Sequence, residues 1–212
     1  MTADPVHPFV SRAGLKLRHA LDVFGIDPRG MVCADLGCNI GGFTDCLLRA
    51  GAAKVFAVDT GYGALAWTLR NDPRVIVMER TNALHAAPPA EGVDLVVIDL
   101  GWTPQRLSIP AALRWLRDGG SGRIVTLIKP HYEQSGPRRE PVLNDEKAAQ
   151  IVAIVIDAMP ALGAAVLAHA PSPIRGGAGK GSRAGNTEYL ALLSPVPQRP
   201  VALTPSQPER PA

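Results

Sequence analysis

Short apolar runs alternate along this chain with segments whose apolar residues recur at helical spacing. The runs "MVCADL" (31–36), "VDLVVIDL" (93–100) and "RIVTLIKP" (123–130) are bounded by Gly, Asp or Pro and predict buried strands. "KVFAVD" (54–59) and "RVIVMER" (74–80) carry weaker versions of the same pattern. Between them, "GFTDCLLRAG" predicts a helix stopped by Gly51 and "GALAWTLRND" one stopped before Pro73. "TPQRLSIPAALRWLRDGG" predicts a third, stopped at a glycine pair and broken or kinked at Pro110. Strand–helix–strand repetition implies an α/β fold, a mostly parallel, doubly wound, Rossmann-like sheet covered on both faces.

The flanking segments follow the same logic. In "SRAGLKLRHALDVFGI", Ala13, Leu17, Ala20, Leu21 and Phe24 share one helical face, with Ser11 as N-cap, and Arg12, Lys16 and His19 share another. "VLNDEKAAQIVAIVIDAMP" predicts a broad, well-buried helix ending near Pro160, followed by two last strands, "AAVLAHA" and "TEYLALLS". Six prolines crowd the final 18 residues and leave little to pack, which predicts an extended tail. The expected organisation is an N-terminal extension (1–10), one domain (11–194) and a proline-rich tail (195–212).

Composition narrows the function only slightly. The net charge of +3, from 22 basic and 19 acidic residues, is too mild to identify a nucleic-acid partner, so the distribution of charge matters more than the total. No apolar run approaches the roughly 18 residues that span a bilayer, and the N-terminus lacks a signal-peptide core. A cytoplasmic protein without membrane contact is expected. Cys33, Cys38 and Cys46 form no CxxC pair and have no close histidine pair, so reduced core thiols are expected and no metal.

Chemistry enters at "ADLGCNIGGF" (34–43). Asp35, Gly37, Gly41 and Gly42, with Asn39 and Phe43 between and after them, sit at a strand-to-helix turn where a ligand can approach the backbone. The spacing is G-x-x-x-G-G rather than the dinucleotide G-x-G-x-x-G. An acid just before the first glycine suits a ligand carrying a positive amino group. Asp59, closing the second strand, suits ribose hydroxyls. S-adenosylmethionine fits both features, while a nicotinamide dinucleotide needs only the second. A plain structural turn is the bland alternative. Asn82, past the third strand in "ERTN", suits an adenine edge or simply forms a loop. "GGAGKGS" (176–182) imitates a phosphate loop, but Lys180 is followed by Gly181, and the strand-then-helix context is missing.

Asp99 closes the fourth predicted strand and Lys129 the fifth. In a doubly wound sheet, both project toward the ligand cleft. A lysine at a buried strand end either reaches water or is held by other charges, in which case it can serve as a base. Lys16 and Glu188 are two further charged residues in apolar contexts.

The stretches "FVSRAGLKL", "DLGCNIGGFTDCLL", "AVDTGYGALAWTLRNDPRV", "ERTN", "LVVIDL", "LIKPHYE", "SPI" and "GNTEYL" occur in an order that resembles the TlyA-type branch of the FtsJ-like methyltransferases. The match runs over about residues 9–194. The resemblance implies S-adenosylmethionine-dependent methylation of a ribose 2′-OH, most naturally in ribosomal RNA. It also implies a catalytic Lys-Asp-Lys-Glu tetrad, here Lys16, Asp99, Lys129 and Glu188. Lys129 would take the hydroxyl proton, with its pKa lowered by Lys16, and Asp99 and Glu188 would orient the two lysines. The implied donor contacts are Asp35, Gly37, Asn39, Gly41, Gly42, Phe43, Asp59, Asn82 and Asp99, in a fold whose last strand is antiparallel.

Two departures accompany it. The resemblance implies an S4-like RNA-binding domain before "SRAGLKL", which this sequence is expected to lack, and "GWTPQ" (101–105) stands where the family has "SFISL". RNA remains the expected partner, as rRNA or a ribosomal subunit met by a monomer. Arg12, Arg18, Arg138, Arg139, Arg175, Lys180 and Arg183 fall in segments expected to rim one cleft, with Tyr132 and Trp102 placed to stack on a base. The rivals are an O-methyltransferase of a small-molecule or protein hydroxyl, a non-enzymatic RNA-binding or haemolysin-like protein, and a nicotinamide oxidoreductase.

Overall fold

In the computed structural model, the described residues are 8–135, 139–177 and 185–196. Seven strands form one sheet: β1 (Val32–Leu36), β2 (Lys54–Val58), β3 (Val75–Met78), β4 (Leu95–Ile98), β5 (Arg123–Ile128), β6 (Ala164–Pro171) and β7 (Tyr189–Pro195). Their order is β3-β2-β1-β4-β5-β7-β6. β1 to β5 pair in parallel, and β7 runs antiparallel to both β5 and β6. The helices are α1 (Ala13–Val23), α2 (Gly42–Arg49), α3 (Trp67–Arg70), α4 (Gln105–Leu113), α5 (Pro130–Glu133) and α6 (Asp145–Ala158).

Strand alternation divides the core between the two faces of the sheet. Leu17 and Leu21 of α1 and Phe43 and Leu47 of α2 pack with Val55, Val97 and Leu127 on one face. Ile109, Trp115, Val152 and Met159 pack with Leu36, Val96 and Ile124 on the other. Every residue of β4 is buried, which is why the central runs read as continuously apolar. Phe9 joins the first cluster, and the Val10 N–H donates to Asp45 Oδ2 at 2.9 Å. The strand order reverses between β1 and β4, the switch point where an open α/β sheet leaves a crevice.

Several local expectations are corrected. Ser11 does not cap α1. The N-cap is Arg12, already in a helical conformation, and the Ser11 carbonyl accepts the Gly14 N–H in a preceding turn. Pro110 neither breaks nor ends α4, which runs through it to Leu113. Pro110 faces solvent, so water can satisfy the carbonyl its ring leaves without a donor. The helix expected over 63–72 shrinks to the single turn of α3, because Gly61 and Gly63 are tied into the loop after β2 instead. α6 is half-exposed rather than broadly buried. Only Ala148, Val152 and Val155 are buried, with Ile151 and Ile156 partly buried beside them, while Ile154 is 69% exposed.

Candidate active site

The carboxyl ends of β1, β4 and β5 open on one side of the sheet, and the antiparallel sense of β7 brings its first residues to the same side. Asp99 follows β4, Lys129 follows β5 and Glu188 immediately precedes β7. Lys16 reaches this point from the second turn of α1. Its Nζ lies 2.5 Å from Glu188 Oε2, with the two residues only 6% and 3% exposed. Lys129 Nζ pairs with Asp99 Oδ1 and donates to the Leu100 carbonyl at 3.2 Å. The strand ends on a lysine because a carboxylate and a carbonyl await it there. All four side chains line one cavity of about 420 Å³, with Gly37, Asn39, Gly42 and Phe43 on its floor.

A second cavity of about 490 Å³ adjoins the first and shares Gly37, Asn39, Asp99 and Gly101 with it. Asp59, Thr81, Asn82, Trp102 and Thr103 form its walls. The two lobes make a single cleft over the switch point, of a size suited to a cofactor plus part of an acceptor.

The glycine loop is built by packing as well as by ligand access. Gly37 has φ +95°, and a Cβ there would stand 2.7 Å from the Asp99 carbonyl oxygen. This glycine therefore lets β1 and β4 release their loops side by side. A Cβ on Gly41 or Gly42 would run into Leu69 or Ser11 respectively. Asp35 lies beneath the loop rather than on the cavity wall. It is fully buried, and its Oδ2 accepts from Thr44 Oγ1 at 2.7 Å. Oδ1 has no hydrogen-bond partner among the described residues. Burial raises its pKa to about 7, the Thr44 bond opposes the rise, and the charges of Asp99 and Asp59 add to it.

Asp59 reaches the second lobe with both oxygens engaged, accepting the Asn39 N–H at 2.9 Å and the Gly61 N–H at 2.7 Å. Each oxygen keeps a further lone pair for a ligand hydroxyl. Asn82 is exposed on the wall, and its Oδ1 accepts the Leu84 N–H at 2.9 Å. Its loop-forming role is thus real, and its amide NH₂ remains available for a ligand. Cys38 lines the first lobe, but burial pushes its thiol pKa up, so it is an inert thiol at neutral pH.

One side of the cleft is walled by the segments after β4 and β5. Trp102 is 82% exposed and holds a left-handed φ of +58°, strained for a bulky side chain. Its ring stacks on Tyr132 at 4.8 Å between centroids, and His131 lies 4.0 Å beyond. Burial and, next, the Lys129 charge lower the His131 pKa, which favours a neutral imidazole. Behind this wall is a polar network the sequence did not disclose. Glu133 Oε1 accepts the Gln105 N–H at 2.9 Å, and Gln105 Oε1 accepts from Thr126 Oγ1 at 2.8 Å. Burial pushes the Glu133 pKa up to about 7, against the Gln105 bond and the Arg106 charge. Asn186 was also missed. Its Oδ1 accepts the Leu143 N–H and its NH₂ donates to the Pro141 carbonyl, both at 2.8 Å, fixing the approach to Glu188. The only sequence signal for it was its position inside "GNTEYL".

The basic residues divide. Arg12 lines the first lobe and Arg139 is exposed. Arg18 does not rim the cleft. It is rotated about 200° around α1 from Lys16, bonds Asp22 at 2.9 Å, and lines a depression with Arg29 and Arg49 instead. Arg175 is not a free rim charge, because its Nη2 grips both oxygens of Asp145 at 2.9 and 3.0 Å. Arg138, Lys180 and Arg183 lie outside the described residues, as does the tail beyond Val196.

These features fit S-adenosylmethionine. A buried acid with one unpartnered oxygen lies under a glycine turn, and a second acid and an amide stand in the neighbouring lobe. Residues 9–136 match the model of the FtsJ-like methyltransferases. The 16S/23S rRNA (cytidine-2′-O)-methyltransferase TlyA of Mycobacterium tuberculosis is 41% identical over 91% of this chain and 71% of its own length. A solved structure named as a hemolysin from Streptococcus thermophilus superposes with a TM-score of 0.81 at 35% identity, covering 94% of this chain and 72% of that one. An S-adenosylmethionine-dependent methyltransferase from Mesorhizobium loti, at 15% identity and TM-score 0.58, shares the fold across 83% of this chain and 96% of its own. With a matching family model over most of the domain, an extended relative and the cleft to match, this chain belongs to the FtsJ-like methyltransferase family and uses S-adenosylmethionine as its cofactor.

Proposed function

We propose that this chain methylates a ribose 2′-oxygen of ribosomal RNA. The observation that carries the reading is the pair of ion pairs, Lys16–Glu188 and Lys129–Asp99, facing one lobe beside the glycine loop. The Mycobacterium tuberculosis relative named for cytidine-2′-O methylation supports the same chemistry.

Bound S-adenosylmethionine would supply an electrophilic methyl carbon on a positively charged sulfur. Asp59 and Asn82 would hold its nucleoside, Asp35 under Gly37 would favour its amino group, and the α2 N-terminus would favour its carboxylate. Lys129, steered by Asp99, would hold the ribose hydroxyl and, once its own ammonium proton has passed to solvent, take the hydroxyl proton, leaving the oxygen as nucleophile for the methyl group that the bound cofactor would supply. Lys16, locked by Glu188, braces the other side of the hydroxyl. Trp102 and Tyr132 stack on the target base, and Arg12 and Arg139 meet phosphates. The protein acts as a monomer in the cytoplasm, on rRNA or an assembled subunit.

The test is transfer of labelled methyl to unmodified ribosomal subunits and to protein-free rRNA, with Lys129→Ala beside the wild type. Label on a ribose 2′-oxygen, lost in the variant while it still binds S-adenosylmethionine, is the expected result. If the wild type binds S-adenosylmethionine yet labels no RNA, the ribosomal reading fails.

A further inference from the structure

The wall carrying Trp102 is held at two ends. At one, Lys129 Nζ donates to the Leu100 carbonyl. At the other, Glu133 Oε1 accepts the Gln105 N–H at 2.9 Å. Between these anchors lie Gly101, Trp102, Thr103 and Pro104. Pro104 is the N-cap of α4 and has no side chain able to cap it, so Glu133 supplies that cap from a different element. Its carboxylate also meets the positive end of the α4 dipole.

Gln105 makes this anchor rigid. It is only 4% exposed, accepts from Thr126 on β5, and donates from Nε2 to the Leu127 carbonyl at 3.3 Å. Glu133 belongs to the same short turn as Tyr132, the ring on which Trp102 stacks. One carboxylate therefore fixes the distance between the two segments whose rings meet at 4.8 Å. A tryptophan at φ +58° keeps that conformation only where its surroundings over-determine it.

We propose that Glu133 is a positioning residue for the acceptor: it clamps the 101–105 segment to α5 and so holds Trp102 in place against Tyr132. This rests on the reading of the cleft as an RNA methylation site. A cap that served stability alone would leave acceptor binding untouched.

The test compares wild type, Glu133→Ala and Glu133→Gln well below their melting temperatures. It reads kcat and KM with the rRNA substrate and Kd for S-adenosylmethionine. Glu133→Ala raises KM for RNA about tenfold, the size of one lost hydrogen bond to a charged group, while the Kd for S-adenosylmethionine stays within about twofold. Glu133→Gln, which still accepts the Gln105 N–H, recovers most of the loss. Adding Glu133→Ala to Trp102→Ala costs little further, because the clamp then has nothing to hold. Trp102 emission, taken as the difference between each protein and its Trp102→Phe counterpart, changes in Glu133→Ala and not in Glu133→Gln. Unchanged KM and unchanged Trp102 emission in Glu133→Ala would overturn the inference. If the wild type methylates no RNA, the functional reading fails instead, and the emission comparison still decides the role of Glu133.

Discussion

Lys16 and Glu188 are 172 positions apart in sequence, and their contact is almost wholly removed from water. Replacing Glu188 by Gln keeps the volume and removes the countercharge, leaving an ammonium stranded at 6% exposure. Breaking a buried pair in this way costs about 3–5 kcal/mol. That is about a fifth or more of the roughly 5–15 kcal/mol that holds a domain together. At roughly 2–4 °C per kcal/mol for a chain of this size, the melting temperature falls by about 6–20 °C. Lys16→Met with Glu188→Leu removes both charges and their desolvation together, and should return stability to within about 2 kcal/mol of wild type. Methyl transfer should be lost in the double variant all the same, because the pair faces the cavity. Urea unfolding at neutral pH, followed by far-ultraviolet dichroism and paired with a methylation assay, reads both quantities. A penalty below about 1 kcal/mol for Glu188→Gln, the range of exposed pairs, would refute the reasoning. A double variant as unstable as the summed single variants would refute it as well.

Four further outcomes are expected. Asp35 and Glu133 have pKa values raised by burial, from 3.8 and 4.5 to about 7 in each case. The folded chain therefore holds protons that the unfolded chain has lost, and stability falls as pH rises from about 4 to about 7, with Asp35→Asn flattening the slope in urea midpoints. Calorimetry should show the opposite trend for S-adenosylmethionine, which binds more tightly as Asp35 ionises through about pH 7. Trp102→Gly relieves a left-handed residue, so its melting temperature stays close to that of the wild type, while KM for RNA rises about tenfold or more from lost stacking. Arg12→Ala should lower the salt slope of RNA binding by about one, and Arg18→Ala should leave it unchanged, as filter binding across a salt series would show.

The sheet was legible because β4 and β5 are buried on both faces, so their Val and Ile runs are continuous and end at Asp99 and Lys129. The cleft was legible for the same reason, since parallel strands leave their closing residues on one side. Arg18 misled because it is close to Lys16 in sequence but points elsewhere around the helix. Gln105 gave no signal at all. A polar residue at a helix start looks solvent-facing, and only its bonds to Thr126 and Leu127 reveal that it is buried. Arg175 read as a free cation because its partner, Asp145, lies 30 positions earlier. Pairings at such range leave no local pattern in the chain.

The antiparallel strand β7 has a temporal meaning. Synthesis runs from the N-terminus, so β1 to β5 and the glycine loop exist before β7 does. Lys16 then waits without its carboxylate while most of the chain is made. Among the described residues the second lobe draws on none beyond Thr103, whereas the four charged side chains come together only when residues 188–195 slot between β5 and β6. A nascent or truncated chain ending before β7 would have the second lobe without the complete first one. Completion of the first lobe is thus tied to the pairing of this last strand, which delivers Glu188 to Lys16.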